Sequence, residues 1–166
     1  MAKPVTFVLG SDSDLPTIEG GLKILTELEI GHSVRILSAH RTPEEARALA
    51  QGAKESGIKV LIGVAGMAAH LAGALAANSL VPVLGIPVEA GPLKGQDALL
   101  STVMMPPGVP VGTLGIGSSG AKNAALLAAR ILALSDDGIA ERLAAFVEAD
   151  RQKTLAKDRD VQGGYA

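Results

Sequence analysis

Three short segments hold residues that could do chemistry together. They are Gly10-Ser11-Asp12-Ser13-Asp14, Ser38-Ala39-His40-Arg41-Thr42-Pro43 and Ala65-Gly66-Met67-Ala68-Ala69-His70, and each follows a short apolar run. In the first, Gly10 lets the backbone turn and come close to a ligand. Ser11 and Ser13 offer hydroxyl donors beside the free N–H groups of a helix start, a setting that stabilises a phosphate. Asp14 would repel phosphate, so its natural partner is a sugar hydroxyl; the plainer reading is that Ser13 or Asp14 only caps a helix. The segment lacks the Gly-Lys-Ser/Thr ending of a Walker loop. In the second, an imidazole that changes charge near neutral pH (His40) stands beside a guanidinium that can fork onto a phosphate (Arg41). In the third, Gly66, Ala68 and Ala69 supply small side chains and backbone N–H groups suited to a carboxylate or CO2. His70, alone on an Ala-rich helix start, reads from its surroundings as a structural hydrogen-bonder, and so does His32.

The elements around these segments predict how they are held. Pro4–Leu9, Ser33–Leu37, Lys59–Val64, Val81–Val88 and Val111–Ile116 read as strands, with prolines confined to strand ends. Helical spacing covers Leu15–Glu29, Thr42 to Gly57, Ala68–Ala77, Gln96–Met104, Ala121–Leu134 and Asp137–Leu155. Thr42 and Glu45 are spaced for a capping box around Pro43. Residues 157–166 are polar and read as a tail or arm beyond a single domain, 1–156. Strands alternating with helices specify an α/β fold: a three-layer, doubly wound parallel sheet of flavodoxin-like order 2-1-3-4-5. Ligands bind such sheets at the carboxyl ends of the strands, where all three segments fall. The segments after strands four and five, with Glu89, Lys94 and Gly117 to Asn123, are expected there too.

Composition excludes several classes. With 166 residues, one domain is expected, and 48% hydrophobic residues suffice for its core. A net charge of −2, no Trp, one Tyr and two Phe argue against nucleic-acid partners. The absence of Cys removes thiol chemistry, and three histidines in three separate segments form no metal set. The strand-end segments hold no aromatic cover for a flavin. Neither a signal peptide nor a membrane-spanning run is apparent, which predicts a cytoplasmic location. The abundance of small residues favours flat apolar surfaces and hence an oligomer.

GSDSD, SAHRTP, AGMAAHLAG, VPVLGIPV, STVMMPPGVPVGTLGIG and NAALLAARIL together resemble the PurE family of purine biosynthesis. The resemblance spans roughly residues 5–134. It implies a cofactor-free enzyme acting on a small nucleotide, assembled as a homo-octamer with sites at subunit junctions. The activity implied is conversion of N5-carboxyaminoimidazole ribonucleotide to 4-carboxy-5-aminoimidazole ribonucleotide by decarboxylation and recarboxylation, with His40 as the catalytic group. Ser11, Ser13 and Arg41 would hold the 5′-phosphate and Asp14 the ribose. Ser38 and Ala39 would sit against the substrate, and Gly66, Ala68, Ala69, His70 and Leu71 would close over the imidazole and its carboxylate. The alternatives are an aminoimidazole ribonucleotide carboxylase using CO2 directly, and a non-enzymatic nucleotide-binding module. The complete SAHRTP and the AAHL of Ala68–Leu71 favour the mutase. The chain departs from the usual GGAAHLPG in having Met67 and Ala72 at the second Gly and the Pro, and Met67 is expected to narrow the pocket.

Overall fold

The computed structural model describes residues 3–165; Met1, Ala2 and Ala166, the outermost residues of the predicted domain and tail, lie outside them. Five parallel strands, β1 (Val5–Leu9), β2 (His32–Ile36), β3 (Val60–Gly66), β4 (Val83–Val88) and β5 (Gly112–Thr113), form one sheet in the order β2-β1-β3-β4-β5. This is the expected doubly wound order. Helices α1 (Leu15–Glu27), α5 (Gly117–Ala133) and α6 (Asp137–Gly164) cover one face. Helices α2 (Pro43–Gln51), α3 (Leu71–Ala77) and α4 (Gln96–Val103) cover the other. Alternate residues of the strands feed the two cores: Val5, Phe7 and Leu9 pack with α1 and α5, while Val8 and Leu61 pack with α2 and α3. No helix of the described residues is long and apolar enough to cross a membrane.

The chain's small residues set the spacing between layers. Gly63 on β3 pairs with Gly85 on β4, leaving a flat patch on one face of the sheet. Helix α3 rests on it: a Cβ at Gly63 would stand 2.8 Å from the Ala72 Cα. A Cβ at Gly85 would collide with the Thr102 methyl of α4. This close approach fixes the height of the α3 N-terminus, where His70 sits.

Several element ends differ from the sequence reading. Helix α2 stops at Gln51: Gly52 still makes the last helical bond, to the Ala48 carbonyl (3.0 Å), but its ψ of 4° turns the chain out of the helix, and Gly57, with φ +77°, closes the turn that follows. The capping box at Thr42 is absent. The Thr42 hydroxyl instead accepts from the Ser38 N–H (2.8 Å) and donates to the Ser38 carbonyl (3.2 Å), closing the loop before the helix. Helix α3 begins at Leu71, since residues 68–70 form a tighter turn. Strand β5 shrinks to two residues: it is an edge strand after Pro110, and one more bond, Leu114 N–H to Gly85 carbonyl (2.9 Å), ends its ladder. Pro87 lies inside β4, near its carboxyl end, opposite Ala65. The segment 157–164 is not an irregular tail but continues α6 as an exposed helical arm, with (i, i+4) contacts such as Gln162 to Asp158 (2.9 Å).

The Gly63–Ala72 contact generates a prediction. Gly63→Ala should cost about 1–3 kcal/mol, the usual range for overpacking, and lower the midpoint of urea unfolding. An unchanged midpoint would mean that α3 rides on the sheet without being held by this contact.

Candidate functional site

At the carboxyl end of the sheet lies a cavity of about 460 Å³. Its floor is the end of β1, the strand at which the order of the sheet reverses. Two bonds extend β1's ladders outward there: Gly10 N–H to Val64 carbonyl (3.0 Å) and Leu37 N–H to Leu9 carbonyl (2.9 Å). The loops after β2 and β3 therefore rise on either side of Gly10 and lean over it.

The first wall is the 3₁₀ turn Asp12–Asp14. Ser11 is its N-cap, and the Asp14 carboxylate accepts from the Ser11 N–H (3.2 Å), so the two residues form a capping box. The hydroxyls run in a chain, Ser13 donating to Ser11 (2.9 Å) and Ser11 to the Asp12 carboxylate (3.1 Å). An anion entering here would take over donors that now serve Asp12. Asp14 is buried, and that burial pushes its carboxyl pKa up; the Ser11 N–H works against the rise, and the neighbouring Asp12 charge adds to it.

The second wall is the loop after β2. Ser38 organises it: its hydroxyl accepts from the N–H groups of both His40 (3.3 Å) and Arg41 (3.2 Å). Those bonds hold the backbone in a turn that sends both long side chains toward β1. Arg41 donates one guanidinium N–H to the Gly10 carbonyl (2.7 Å), tying the loop across the cavity floor. The other four of its five donors are not committed to that bond and can meet an anion.

The third wall is the loop after β3, with Ala65, Gly66, Met67, Ala68, His70 and Leu71 facing the cavity. His40 Nε2 and His70 Nδ1 are 2.8 Å apart, with the rings nearly perpendicular (85°). One of the two nitrogens carries a proton and the other accepts it, so the pair shares one proton between strand ends that are not adjacent in the sheet.

Of the residues singled out from sequence, Ser11, Ser13, Asp14, Ser38, Ala39, His40, Arg41, Gly66, Ala68, His70 and Leu71 all line this cavity. Ala69 does not: it is buried under the loop, and its N–H is directed to the Met67 carbonyl (2.9 Å), as that of His70 is to the Ala68 carbonyl (2.9 Å). Those two N–H groups are not free to cradle a carboxylate. His70 is not the isolated structural histidine its Ala-rich neighbourhood indicates, whereas His32 is, with Nδ1 against the Ile30 carbonyl (2.9 Å). Glu89, Lys94 and the segment from Gly117 to Asn123 stand off the cavity; residues 117–123 are the opening turns of α5. Gly10, expected to come close to a ligand, and Met67, expected to narrow the pocket, line it too, and Ala65 and Ala90 complete the lining. For Gly10 and Ala65 the signal was position at a strand end; Ala90 carries no chemical signal. Among the described residues no group of three or more His, Asp or Glu side chains gathers as a metal set would.

This is a doubly wound α/β protein of the flavodoxin-like kind, with its reactive groups gathered at the switch point of the sheet. The chain belongs to the AIR carboxylase family, whose sequence model matches residues 4–153. It is 51% identical over 151 residues to the N5-carboxyaminoimidazole ribonucleotide mutase of Haemophilus influenzae, covering 91% of this chain and 92% of that one. It is 49% identical over 144 residues to the enzyme of the same name from Pyrococcus abyssi, covering 87% and 82%. The crystal structure of Treponema denticola PurE superposes with a TM-score of 0.84 at 29% identity, over 94% of this chain and 96% of that one.

The raised pKa of Asp14 sets a pH dependence. The native chain holds this proton more tightly than the unfolded chain, so the group favours folding below its ordinary value of 3.8. That contribution is lost as the pH rises through the folded-state value. Asp14→Asn keeps an acceptor for Ser11 and removes the buried charge. It should therefore be more stable than the parent at pH 7, with the advantage shrinking toward pH 3 in urea titrations. A variant less stable at pH 7 would contradict the assignment of burial as the dominant cause.

Proposed function

We propose that this chain isomerises N5-carboxyaminoimidazole ribonucleotide to 4-carboxy-5-aminoimidazole ribonucleotide in purine biosynthesis. The observation that carries the reading is the His40–His70 hydrogen bond inside the cavity that the Ser11–Asp14 turn also lines. A proton-transfer pair and a sugar-phosphate cradle thus share one half-open cavity of a nucleotide's dimensions. Relatives at 51% and 49% identity bear the mutase name, which disfavours the reading as a carboxylase drawing CO2 from solution.

In this reading Ser11, Ser13 and Arg41 hold the 5′-phosphate, and the Asp14 carboxylate takes a ribose hydroxyl. Ser38 and Ala39 pack against the ring, and Gly66, Ala68, His70 and Leu71 surround the reacting end. The carbamate C–N bond breaks, its electron pair returns to the nitrogen, and CO2 is released within the cavity. The nitrogen gains a proton as the amine re-forms. The electron-rich ring carbon attacks the CO2, a C–C bond forms, and that carbon's proton passes to His40. One proton is gained and one lost, so the reaction balances as an isomerisation without a redox partner. His70 holds the His40 ring and its shared proton in line, and the protein contributes positioning and proton transfer. We also place the enzyme in the cytoplasm, where its free nucleotide substrate is made.

The reading includes a homo-octamer. Leu80 is wholly exposed in the single chain, and Leu93, Leu100, Val103 and Met104 expose large apolar surfaces on and beside α4. Such surfaces favour burial between subunits. Light scattering should give eight times the chain mass of 16.8 kDa; a stable monomer at micromolar concentration would overturn the assembly.

Purified protein given the carbamate nucleotide should form the carbon-carboxylated isomer faster than the enzyme-free control. His40→Asn should lose about 10²–10⁴-fold in turnover, as expected for a general acid–base group, while still binding product in calorimetry. Near-normal turnover in folded His40→Asn would remove the residue from the mechanism. No conversion by the parent protein would remove the proposed activity.

A further inference from the structure

Met67 is the one large side chain of this cavity that the chemistry above leaves without a part, and its backbone is strained. Its φ is +54°, in the left-handed region where a side chain clashes with the following carbonyl and glycine is preferred. Glycine would sit there without strain. A strained non-glycine residue at a site persists when the side chain returns something for its cost.

The side chain's position indicates what that is. Met67 lines the cavity and is 57% exposed, so it is no core residue. Its Cγ lies 3.9 Å from the point where a Cβ on Gly91 would stand, so the stem of the side chain, on the loop after β3, lies beside the loop after β4. The two loops are already close below it, since a Cβ on Gly66 would come within 3.0 Å of the Ala90 Cβ. The far loop turns through left-handed residues, Gly91 (φ +64°), Lys94 (+49°) and Gly95 (+86°), after Ala90, which lines the cavity. A flexible, polarisable, apolar side chain thus stands at the gap between them.

We propose that Met67 is a specificity-determining residue that closes the cavity between the β3 and β4 loops, keeping the released CO2 inside and bicarbonate-derived CO2 out. The inference rests on the mutase reading above. CO2 is small and apolar, carries no net charge and has no handle for a strong hydrogen bond. Its retention depends on the walls being continuous, and Met67 supplies the wall between two loops that no hydrogen bond joins at that point. Without it, the carbamate still breaks to amine and CO2. The CO2 is then lost to solvent, and aminoimidazole ribonucleotide accumulates in place of the isomer.

The test uses the full-length protein with unlabelled carbamate nucleotide in ¹³C-bicarbonate buffer. Both the label in the carboxylated product and the ratio of aminoimidazole ribonucleotide to product are measured, corrected for the enzyme-free reaction. The parent and Met67→Leu should make mostly unlabelled product. Met67→Ala and Met67→Gly should show a severalfold rise in both label and uncoupled amine. Met67→Gly, relieved of strain, should also melt at a higher temperature than the parent, which separates leakage from unfolding. Equal retention of CO2 by the parent and both small variants would overturn the role of Met67 and leave the mutase reading intact. Full labelling of product by the parent would overturn the mutase reading and this inference with it. A lower melting temperature for Met67→Gly would overturn the strain on which the inference is built.

Discussion

The depth at which α3 settles on the sheet governs most of what happens at the site. Two paired glycines, Gly63 and Gly85, remove the side chains that would hold helices off that face. Ala72 descends against Gly63, and the start of α3 descends with it. His70 is the residue immediately before α3, so its ring is brought to the level of the loop leaving β2. Across β1, the Arg41–Gly10 bond pulls that loop inward. The two histidines meet because both supports are short. A methyl group added under α3, or a looser loop over Gly10, would move one ring relative to the other by more than the tolerance of a 2.8 Å hydrogen bond.

The first wall shows what it costs to keep charge ready in such a place. Asp14 is buried beside another acid, a setting that resists its ionisation, and the Ser11 N–H offsets only part of the cost. The serine hydroxyls have their donors turned toward Asp12 and each other. This polar network satisfies itself within the turn, and its donors would have to turn to meet the phosphate and sugar proposed above. Arg41 behaves likewise, with one donor fixing the loop and the rest open. The backbone frame of the cavity is thus fixed by its own hydrogen bonds, with stability given up at Asp14 and at the left-handed Met67.

Much of this arrangement was legible in the residues themselves. The apolar runs at Val5–Leu9 and Val60–Val64 are too continuous for anything but strands buried on both faces, and their alternation with helical patterns specifies a parallel sheet. Polar residues placed after such strands have to collect at one end of it. GSDSD and SAHRTP therefore identified two walls of the cavity, and eleven of the twelve residues chosen for the site line it. The ends of elements were less legible, because local signals compete there. Gly52 and Gly57 both stop helices, and the nearer one prevailed. Thr42 had a helix end and a loop to serve, and served the loop. Residues 157–164 are mostly polar, a pattern shared by disordered tails and solvated helices, and here they extend the helix that precedes them.

Taken alone, the sequence determined the fold class, the strand order and the identity of the chemical groups, because these follow from periodicity, strand-end position and residue type. Only the tertiary structure decided which groups touch. His40 and His70 are thirty residues apart, on strands that flank a third, and linear spacing holds no trace of a contact made by two loops leaning over β1. Ala69 and Ala90 exchanged places as cavity residues for the same reason: alanine has no polar atom in its side chain to advertise a role, and only packing decides which methyl group faces in. The strain at Met67 is likewise a tertiary fact. A methionine in a sequence gives no sign of its φ, which is set here by the turn between a buried strand and a helix held down on two glycines.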